Sequence, residues 1–212
     1  MTMKKKIILA SQSPRRFEIL RKANYDFISI PTHVSEIPAK NLNIDEQIID
    51  IARRKARFCL TLLQDKGLAT YSAVATDLII SADTMVCIGD QTLGKPEDED
   101  MAKKYLQRLS GNTHQVKTGV VLIDLASHEE ISLIETTQVN FRLISDLEIV
   151  EYIKSGEPMD KAGAYAIQGL GKKFVTGFDG DFDNVVGLPL HAIEKVFKIK
   201  SWTLLRLLPD AK

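Results

Sequence analysis

The sequence predicts an α/β protein built on a mixed, twisted sheet with flanking helices. Short apolar runs alternate with longer amphipathic stretches of helical period, the order expected when helices cover the faces of a sheet. Two long β-type segments, at 115–125 and 131–143, follow each other directly, as in an antiparallel ribbon. Because hairpins and helical crossovers occur in one chain, we expect both parallel and antiparallel strands.

Each predicted element has a local signal in the sequence. Ser13 suits a helix N-cap and Pro14 the first helical position, and Ser145 with Glu148 matches a capping box. In chain order, the predicted elements are a strand at 6–10, a helix after Ser13, a helix at 44–63, strands at 78–82 and 85–88, a turn at 89–90, a helix after Asp98 that Gly111 closes, strands at 115–125 and 131–143, a helix from Ser145 to Gly156, strands at 164–167 and 174–178, a turn at 179–180 and a helix from Leu190.

Size and charge restrict the possible functions. The 212 residues are 44% hydrophobic and 26% charged, which allows a sizeable core and fits a single α/β domain over residues 1–212. The 28 basic residues balance 28 acidic ones, so the composition gives no general attraction to nucleic acid or to an anionic membrane. We therefore expect no nucleic-acid or membrane partner, and any anion site must be local.

The sequence is typical of a cytoplasmic protein. The apolar run that follows the lysines at 4–6 is too short for a secretory signal, and no segment reaches transmembrane length. Cys59 and Cys87 lie in apolar segments and lack the spacing of metal ligands or of a disulfide framework. We expect both to be buried free thiols in a reducing compartment.

A cluster of hydroxyl and guanidinium groups lies at 11–16, where a predicted strand leads into a helix. Backbone N–H groups and the helix dipole favour an anion at this point, and Arg15 and Arg16 can each bind phosphate oxygens in a fork, with Ser11 and Ser13 close by. Positive charge in a first helical turn opposes the dipole, and a bound anion would compensate it. The alternative is an ordinary capped helix with solvated arginines.

Lys55 lies in the apolar stripe of the helix predicted at 44–63. It comes seven residues after Ile48 and four before Cys59, on the same face. Burying an ammonium group without an acceptor is costly. Either a bound phosphate supplies the acceptor, or the lysine extends out of the interface to water.

Asp83 interrupts the apolar segment at 78–88. Such a carboxylate must be paired, bound to metal or held for proton transfer, and a hydrogen bond to a neighbouring turn is the structural alternative. Thr84 adds a hydroxyl, and Glu36 adds a carboxylate from the loop after the first helix. Two carboxylates with a phosphate suit Mg²⁺ or Mn²⁺ better than Zn²⁺, and the four histidines form no ligand cluster.

The segment at 160–171 packs small residues around Tyr165 and Gln168. Glycine permits close backbone approach to a flat ligand, and these two side chains could stack on it or bond to its edge. A bulged strand is the alternative. Lys95 lies in a Gly-Lys-Pro sequence that is too short for a phosphate loop.

Together and in this order, the fragments resemble the Maf family of nucleotide pyrophosphatases, also called septum formation inhibitors. The likeness extends from Ile7 to about Phe197. Any one phrase can arise by chance, whereas seven in one order make the match specific. The matching phrases lie at 10–16, 52–56, 82–84, 93–96, 109–111, 161–171 and 185–190.

The resemblance implies a fold similar to that of inosine triphosphate pyrophosphatases, with two lobes around a central cleft, and a homodimer. It also implies hydrolysis of a nucleoside triphosphate to the monophosphate and pyrophosphate. The stretch at 161–169 is similar to the subgroup that acts on dTTP and UTP. The sister subgroup acts on 7-methyl-GTP and carries an acid near the position of Gln168.

The resemblance also implies roles for individual residues. Asp83 corresponds to the general base, and Arg15, Thr84 and Gln168 correspond to positions that set substrate choice. A divalent cation, Mg²⁺ or Mn²⁺, is expected at Asp83 and Glu36. The residues expected to bind substrate are Ser11, Ser13, Arg15, Arg16, Lys55, Thr84, Lys95, Lys161 and Gln168.

Two departures from the family pattern do not touch this chemistry. The stretch at 60–76 is longer than usual, and Asp181 stands where a serine is commoner. Two other functions stay open at this point: a pyrophosphatase for modified or non-standard nucleotides, and a non-catalytic regulator of cell division. The zero net charge argues against a regulator that binds nucleic acid.

Overall fold

The computed structural model describes residues 4–39 and 41–207. Strands and helices alternate through most of that range. The strands are β1 (Ile7–Leu9), β2 (Phe27–Ser29), β3 (Leu78–Ile88), β4 (Gln91–Leu93), β5 (Thr113–Asp124), β6 (Glu130–Phe141) and β7 (Val175–Asp179). The α-helices are α1 (Pro14–Lys22), α2 (Ile44–Lys66), α3 (Glu99–Leu109), α4 (Asp146–Lys154), α5 (Phe182–Val186) and α6 (Leu190–Ile199), with 3₁₀ segments at Leu68–Tyr71, Glu157–Asp160, Ala162–Ala164 and Leu170–Phe174.

The described strands form one seven-stranded sheet in the order β2-β1-β3-β5-β6-β7, with β4 paired to β3. Strand β1 runs parallel to both β2 and β3, whereas β4 is antiparallel to β3 and β7 to β6. Neighbouring strands β5 and β6 are joined by residues 125–129 alone, too short a connection for a parallel crossover. The predicted mixed α/β class is therefore confirmed.

Contacts divide the chain into two compact units. The first comprises Met1–Asp83, Gly119–Ile134 and Gly187–Lys212, and the second comprises Thr84–Thr118 and Glu135–Val186. Strands β3, β5 and β6 each contribute residues to both. The single domain expected over residues 1–212 stays a prediction.

The first unit has its core around helix α2. The helix begins with a capping box, in which the Asn43 side chain accepts from the Glu46 N–H and the Glu46 carboxylate accepts from the Asn43 N–H. Its apolar face packs on the sheet, where a Cβ added to Gly119 would lie 2.8 Å from Ile48 Cγ2. Cys59 is fully buried in this cluster, and burial raises the pKa of its thiol to about 12. Cys59 and Cys87 are both buried and neither forms a disulfide, as predicted.

The second unit has an aromatic core. Tyr165 packs edge to face on Phe141 and on His114, with ring centroids 4.8 and 5.3 Å apart. Its hydroxyl lies 2.8 Å from His114 Nε2. Tyr165 is therefore a core residue, and the suggestion that it stacks on a ligand is wrong.

Capping residues in the sequence predict the starts of several helices correctly. The capping box of Ser145 and Glu148 is present at the start of α4, and Asp98 caps α3 by accepting from the Met101 N–H. Ser13 occupies the N-cap position of α1 as predicted, but its side chain makes no capping hydrogen bond. The short elements β2, β4 and α5 were not predicted.

Two predicted strands need correction. The segments at 78–82 and 85–88 form one continuous strand, β3, because the side chain of Asp83 has a partner and does not interrupt the ladder. The segment at 164–167 is no strand. Gly163 and Ala164 have φ angles of 70° and 58°, in the left-handed region, where a strand cannot form. No helix among the described residues is long and apolar enough to cross a membrane.

Candidate active site

Three charged side chains meet at one point in the first unit. Lys55 Nζ lies 2.8 Å from Asp83 Oδ1 and 2.6 Å from Glu36 Oε1. The Lys55 and Asp83 side chains are only 7% and 12% exposed, whereas that of Glu36 is 48% exposed. Lys55 therefore joins a buried carboxylate to one that reaches solvent. The acceptor that its burial requires is supplied by the protein itself.

The packing of α2 against β3 brings Lys55 to Asp83. Ser81 Oγ donates to the Ala52 carbonyl at 2.7 Å, which fixes the helix over the strand. Asp83 follows Ser81 by two residues, so both side chains leave the strand on the same face, and Lys55 follows Ala52 by three, on the same helical face. One buried hydrogen bond thus sets the register for the ion pair.

Arg54 holds the loop that carries Glu36. Its guanidinium donates to the carbonyl of Ser35, through Nη1, and to that of Ile37, through Nη2 at 3.1 Å. Asp50, one turn earlier in α2, pairs with the same guanidinium at 3.1 Å. Because the two carbonyls flank Glu36, Arg54 fixes the backbone on both sides of this carboxylate.

The start of helix α1 has the chemistry of an anion site. Its first turn contains no acidic side chain and its N-cap serine makes no side-chain capping bond, so the positive end of the dipole is not neutralised from within the helix. Ser11 is buried and its Oγ accepts from the Ser13 N–H at 3.1 Å. Arg15, half-buried, lies in the same turn.

Arg16 is buried and directed by the protein. Its Nε donates to the Gly187 carbonyl at 2.7 Å, and its Nη1 lies 3.4 Å from Ser11 Oγ. Burial lowers the pKa of Arg16, and the charges of Asp83 and Glu36 oppose that change. The sequence motif at 185–190 therefore contributes to the candidate site through its backbone, because the Gly187 carbonyl orients the Arg16 guanidinium.

In the second unit, a chain of hydroxyl groups orients Thr84. Thr118 Oγ1 donates to the Asn184 carbonyl at 3.1 Å and lies 2.9 Å from Thr84 Oγ1. Since Thr118 has a single hydroxyl proton and gives it to the carbonyl, Thr84 must be the donor in the contact between the two hydroxyls.

The other predicted residues of the second unit lie on turns. Lys95 is exposed, and the Gly94 carbonyl beside it accepts from the Gly163 N–H at 3.0 Å. Lys161 Nζ donates to the Glu157 carbonyl at 2.9 Å and pairs with Asp160. Gln168 is exposed in the turn formed by residues 166–169, which the Gly169 N–H closes by donating to the Ala166 carbonyl at 3.3 Å.

The glycines of 160–171 make room for protein groups and not for a flat ligand. A Cβ added to Gly163 would lie 2.9 Å from both methyl carbons of Val86, and one added to Gly169 would lie 2.2 Å from Glu157 Oε2. Their small size is required by packing within the second unit.

Within the first unit, the structure brings together Ser11, Arg16, Glu36, Lys55 and Asp83, with Ser13 and Arg15 at the adjoining helix end. Thr84, Lys95, Lys161 and Gln168 belong to the second unit. Sequence reasoning missed Arg54, Thr118 and Asn184. Arg54 had a signal, because it precedes Lys55 in a matching phrase, whereas the partners of Thr118 and Asn184 are distant in the chain.

Glu36 and Asp83 are the two carboxylates that would hold a divalent cation, and Lys55 Nζ lies between them. Their oxygens converge on a single nitrogen, that of Lys55, so both can face one positive charge. The described residues contain no group of three or more His, Cys, Asp or Glu side chains that could hold a metal ion alone. Oxygens from a phosphate and from water would have to complete the coordination of Mg²⁺ or Mn²⁺.

Comparison with known proteins decides the family. The family model described as Maf-like protein matches residues 6–199. The chain belongs to the Maf family. The resemblance expected from the seven phrases is thereby confirmed.

Several relatives of this Maf chain have names that state an activity. It is 47% identical to the dTTP/UTP pyrophosphatase of Bdellovibrio bacteriovorus, over 92% of this chain and 98% of the relative. It is 44% identical to that of Koribacter versatilis, over 91% and 93%, and 38% identical to that of Caldicellulosiruptor bescii, over 95% and 98%. Among solved structures, the Staphylococcus aureus Ham1 protein matches with 12% identity and a TM-score of 0.45, over 92% of this chain and 100% of that one.

Proposed function

We propose that this Maf protein hydrolyses dTTP and UTP to the nucleoside monophosphate and pyrophosphate. Relatives named dTTP/UTP pyrophosphatase, which match nearly the full length of the chain, support this activity. The observation that carries the mechanism is the buried pair of Lys55 and Asp83, which lies in the same unit as the anion-binding end of α1.

Asp83 is the general base in this proposal. One of its oxygens accepts from Lys55, which fixes the orientation of the carboxylate. Water attacks the α-phosphorus in line with the leaving pyrophosphate, and the proton of that water passes to Asp83. A positioned base of this kind contributes about a hundredfold or more to the rate.

Positive charge near the phosphates supplies the electrostatic part of catalysis. Arg15 and Arg16 bind phosphate oxygens in forked geometry at the start of α1, with Ser11 and Ser13 as further donors. Lys55 neutralises charge that develops on the reacting phosphoryl group. A divalent cation, Mg²⁺ or Mn²⁺, would be held by Glu36 and Asp83 and would add positive charge at the same oxygens.

The second unit provides the residues proposed to select the nucleotide. Thr84 presents an acceptor, which suits the N3–H of uracil and thymine. The exposed amide of Gln168 can both donate and accept, and Lys95 and Lys161 supply positive charge for phosphate. The proposal assigns these four side chains to substrate binding and Asp83 to chemistry.

The direct test is a nucleotide screen in ¹⁸O-labelled water. Purified protein with Mg²⁺ or Mn²⁺ should release pyrophosphate from dTTP and UTP much faster than from purine triphosphates, and the label should enter the monophosphate. Release of single phosphates, or label in pyrophosphate, would contradict attack at the α-phosphorus. Preference for non-standard purine triphosphates would favour the hypothesis of a pyrophosphatase for modified or non-standard nucleotides. Absence of hydrolysis of any nucleotide would favour a non-catalytic regulator.

The homodimer and the cytoplasmic location stay proposals that rest on the family resemblance and on the absence, among the described residues, of a helix able to span a membrane. Light scattering of the purified full chain should give twice the mass of 23.7 kDa. A mass of one chain at assay concentration would contradict the dimer.

A further inference from the structure

The Glu157 carboxylate binds one end of the turn that carries Gln168. Its Oε2 accepts from the Leu170 N–H at 2.9 Å, and its Oε1 accepts from the Gly171 N–H at 3.0 Å. Both amides follow Gln168 closely in the chain. The two carboxylate oxygens therefore satisfy two successive backbone donors on the far side of the turn.

The Tyr152 hydroxyl closes the other end. It accepts from the Ala166 N–H at 3.2 Å and donates to Glu157 Oε1 at 2.7 Å. Tyr152 is 1% exposed and packs on Phe174, with ring centroids 5.1 Å apart, so the hydroxyl has a fixed place. Ala166, which begins the turn, and Gly171, in the 3₁₀ segment directly after it, are thus joined through one phenol and one carboxylate.

The protonation of this pair is set by its surroundings. Burial raises the pKa of Glu157, but hydrogen bonds from Leu170, Tyr152 and Gly171 together lower it below its usual value. Burial likewise raises the pKa of Tyr152, which keeps its proton. Glu157 is therefore an ionised acceptor and Tyr152 a donor to it, which is the arrangement that the geometry requires.

The backbone of Gly169 and Gly171 lies directly against this pair. A side chain at Gly169 would collide with the Glu157 carboxylate, and one at Gly171 would lie 2.7 Å from the Tyr152 hydroxyl. Gln168 lies between the two hydrogen-bonded positions, Ala166 and Gly171, and is exposed. A side chain on such a turn can hold a ligand only as well as the turn itself is held.

We propose that Glu157 and Tyr152 are positioning residues that fix Gln168 and thereby set the selectivity for the pyrimidine base. The inference rests on the proposed function, since it deepens the assignment of Gln168 as a substrate-binding residue. Glu157 and Tyr152 touch neither the substrate nor the reacting atoms. They act through the backbone of residues 166–171.

The test compares Glu157→Gln and Tyr152→Phe with the control Glu151→Gln, a change at an exposed glutamate of α4. Glutamine at 157 directs an amide nitrogen at a backbone N–H, and phenylalanine removes the link to Ala166 with little change of volume. The substrates are dTTP, UTP and methyl triphosphate, which has the same three phosphates but neither sugar nor base. Hydrogen exchange reports on the amides of 166–171.

Both variants should lose roughly ten- to hundredfold in kcat/KM on dTTP and UTP, mainly through KM, because misplacement of a positioned group by about 1 Å has effects of this size. Activity on methyl triphosphate should stay within twofold, and the amides of Leu170 and Gly171 should exchange faster. In a Gln168→Ala background, Glu157→Gln should add little further loss, since residues that act through one another are not additive.

Two results would overturn the positioning role while the enzyme remains active. One is an equal loss on methyl triphosphate and on dTTP, which indicates general damage to the fold. The other is faster exchange of the turn with unchanged selectivity. A wild-type protein inactive on every triphosphate would instead overturn the proposed function, and Tyr152→Phe, the milder change, keeps the test valid if Glu157→Gln fails to fold.

Discussion

Lys55 and Asp83 are 28 residues apart in the chain and form a buried ion pair at 2.8 Å. A single lysine thereby orients the proposed base and also contacts the exposed Glu36. Each charge compensates the other inside the first unit, and removing one leaves the other buried with less compensation. Catalytic geometry and stability depend on the same contact, and this dependence can be tested.

Replacing Lys55 with methionine should destabilise the protein, because Asp83 is left buried without its partner. Loss of one member of a buried pair costs about 3 kcal/mol in the free energy of unfolding. The double variant Lys55→Met with Asp83→Leu should recover most of that loss, and neither should retain activity. Urea unfolding at pH 7 measures both, and a single variant as stable as wild type would show that Asp83 finds another partner.

Arg54→Lys should weaken the use of metal without changing the fold. Lysine cannot donate to the carbonyls of Ser35 and Ile37 in the planar fork that Arg54 provides. The Mg²⁺ or Mn²⁺ concentration for half-maximal activity should rise by about tenfold, since partners that orient ligands matter on this scale. Glu36→Gln should raise the metal concentration for half-maximal activity at least as much. An unchanged requirement in both would remove Glu36 from the cation site.

Thr118→Val should reduce the preference for UTP over CTP. Without the Thr118 hydroxyl, Thr84 can rotate and donate its proton, and the N3 of cytosine accepts where that of uracil donates. We expect the ratio of kcat/KM on UTP to kcat/KM on CTP to fall by about tenfold, which is the scale of one hydrogen bond. Thr118→Ser keeps the hydroxyl and should keep the ratio. Equal ratios in all three proteins would show that Thr84 does not read the base edge.

Stability should decline in mild acid because of His114. Burial lowers the pKa of this imidazole to about 4, so the folded state favours the neutral ring. The unfolded chain takes up the proton first. The free energy of unfolding is therefore not reduced by His114 above about pH 6.5. It decreases as the pH falls toward 4, by on the order of 3 kcal/mol in total.

His114→Gln keeps a hydrogen-bond partner for Tyr165 and does not titrate. As the pH falls from 7 to 4, the free energy of unfolding of wild type should decrease relative to that of this variant. A difference independent of pH would mean that the imidazole has the same pKa in the folded and the unfolded chain.

Local chemistry explains what the sequence predicts well. The caps at Asp98 and Ser145 involve residues three apart, so they can be read without the fold. The segment at 164–167 has the apolar pattern of a strand, but the left-handed backbone at Gly163 and Ala164 excludes one. Gly163 also lies against Val86, where an added Cβ would be 2.9 Å from both methyl carbons, and no local pattern encodes that tertiary contact.

The contacts among the predicted site residues were not predicted, and the roles of those residues stay predictions. Lys55 and Asp83 were recognised separately as charges in apolar surroundings, and each was given an external ligand as one resolution. Their partnership depends on how α2 packs on β3, a tertiary contact. For the same reason Tyr165, whose ring suits a ligand equally well, proved to be a core residue.

The most direct test of the account is turnover of Asp83→Asn, with the exposed helix residue change Asp65→Asn as the control. Asparagine preserves the shape of the side chain and can still contact Lys55, but it cannot take a proton from water. At saturating Mg²⁺ or Mn²⁺, kcat on dTTP and UTP should fall by at least about a hundredfold, while the circular dichroism spectrum and the control variant match wild type. Turnover within a few-fold of wild type would contradict the assignment of Asp83 as the base.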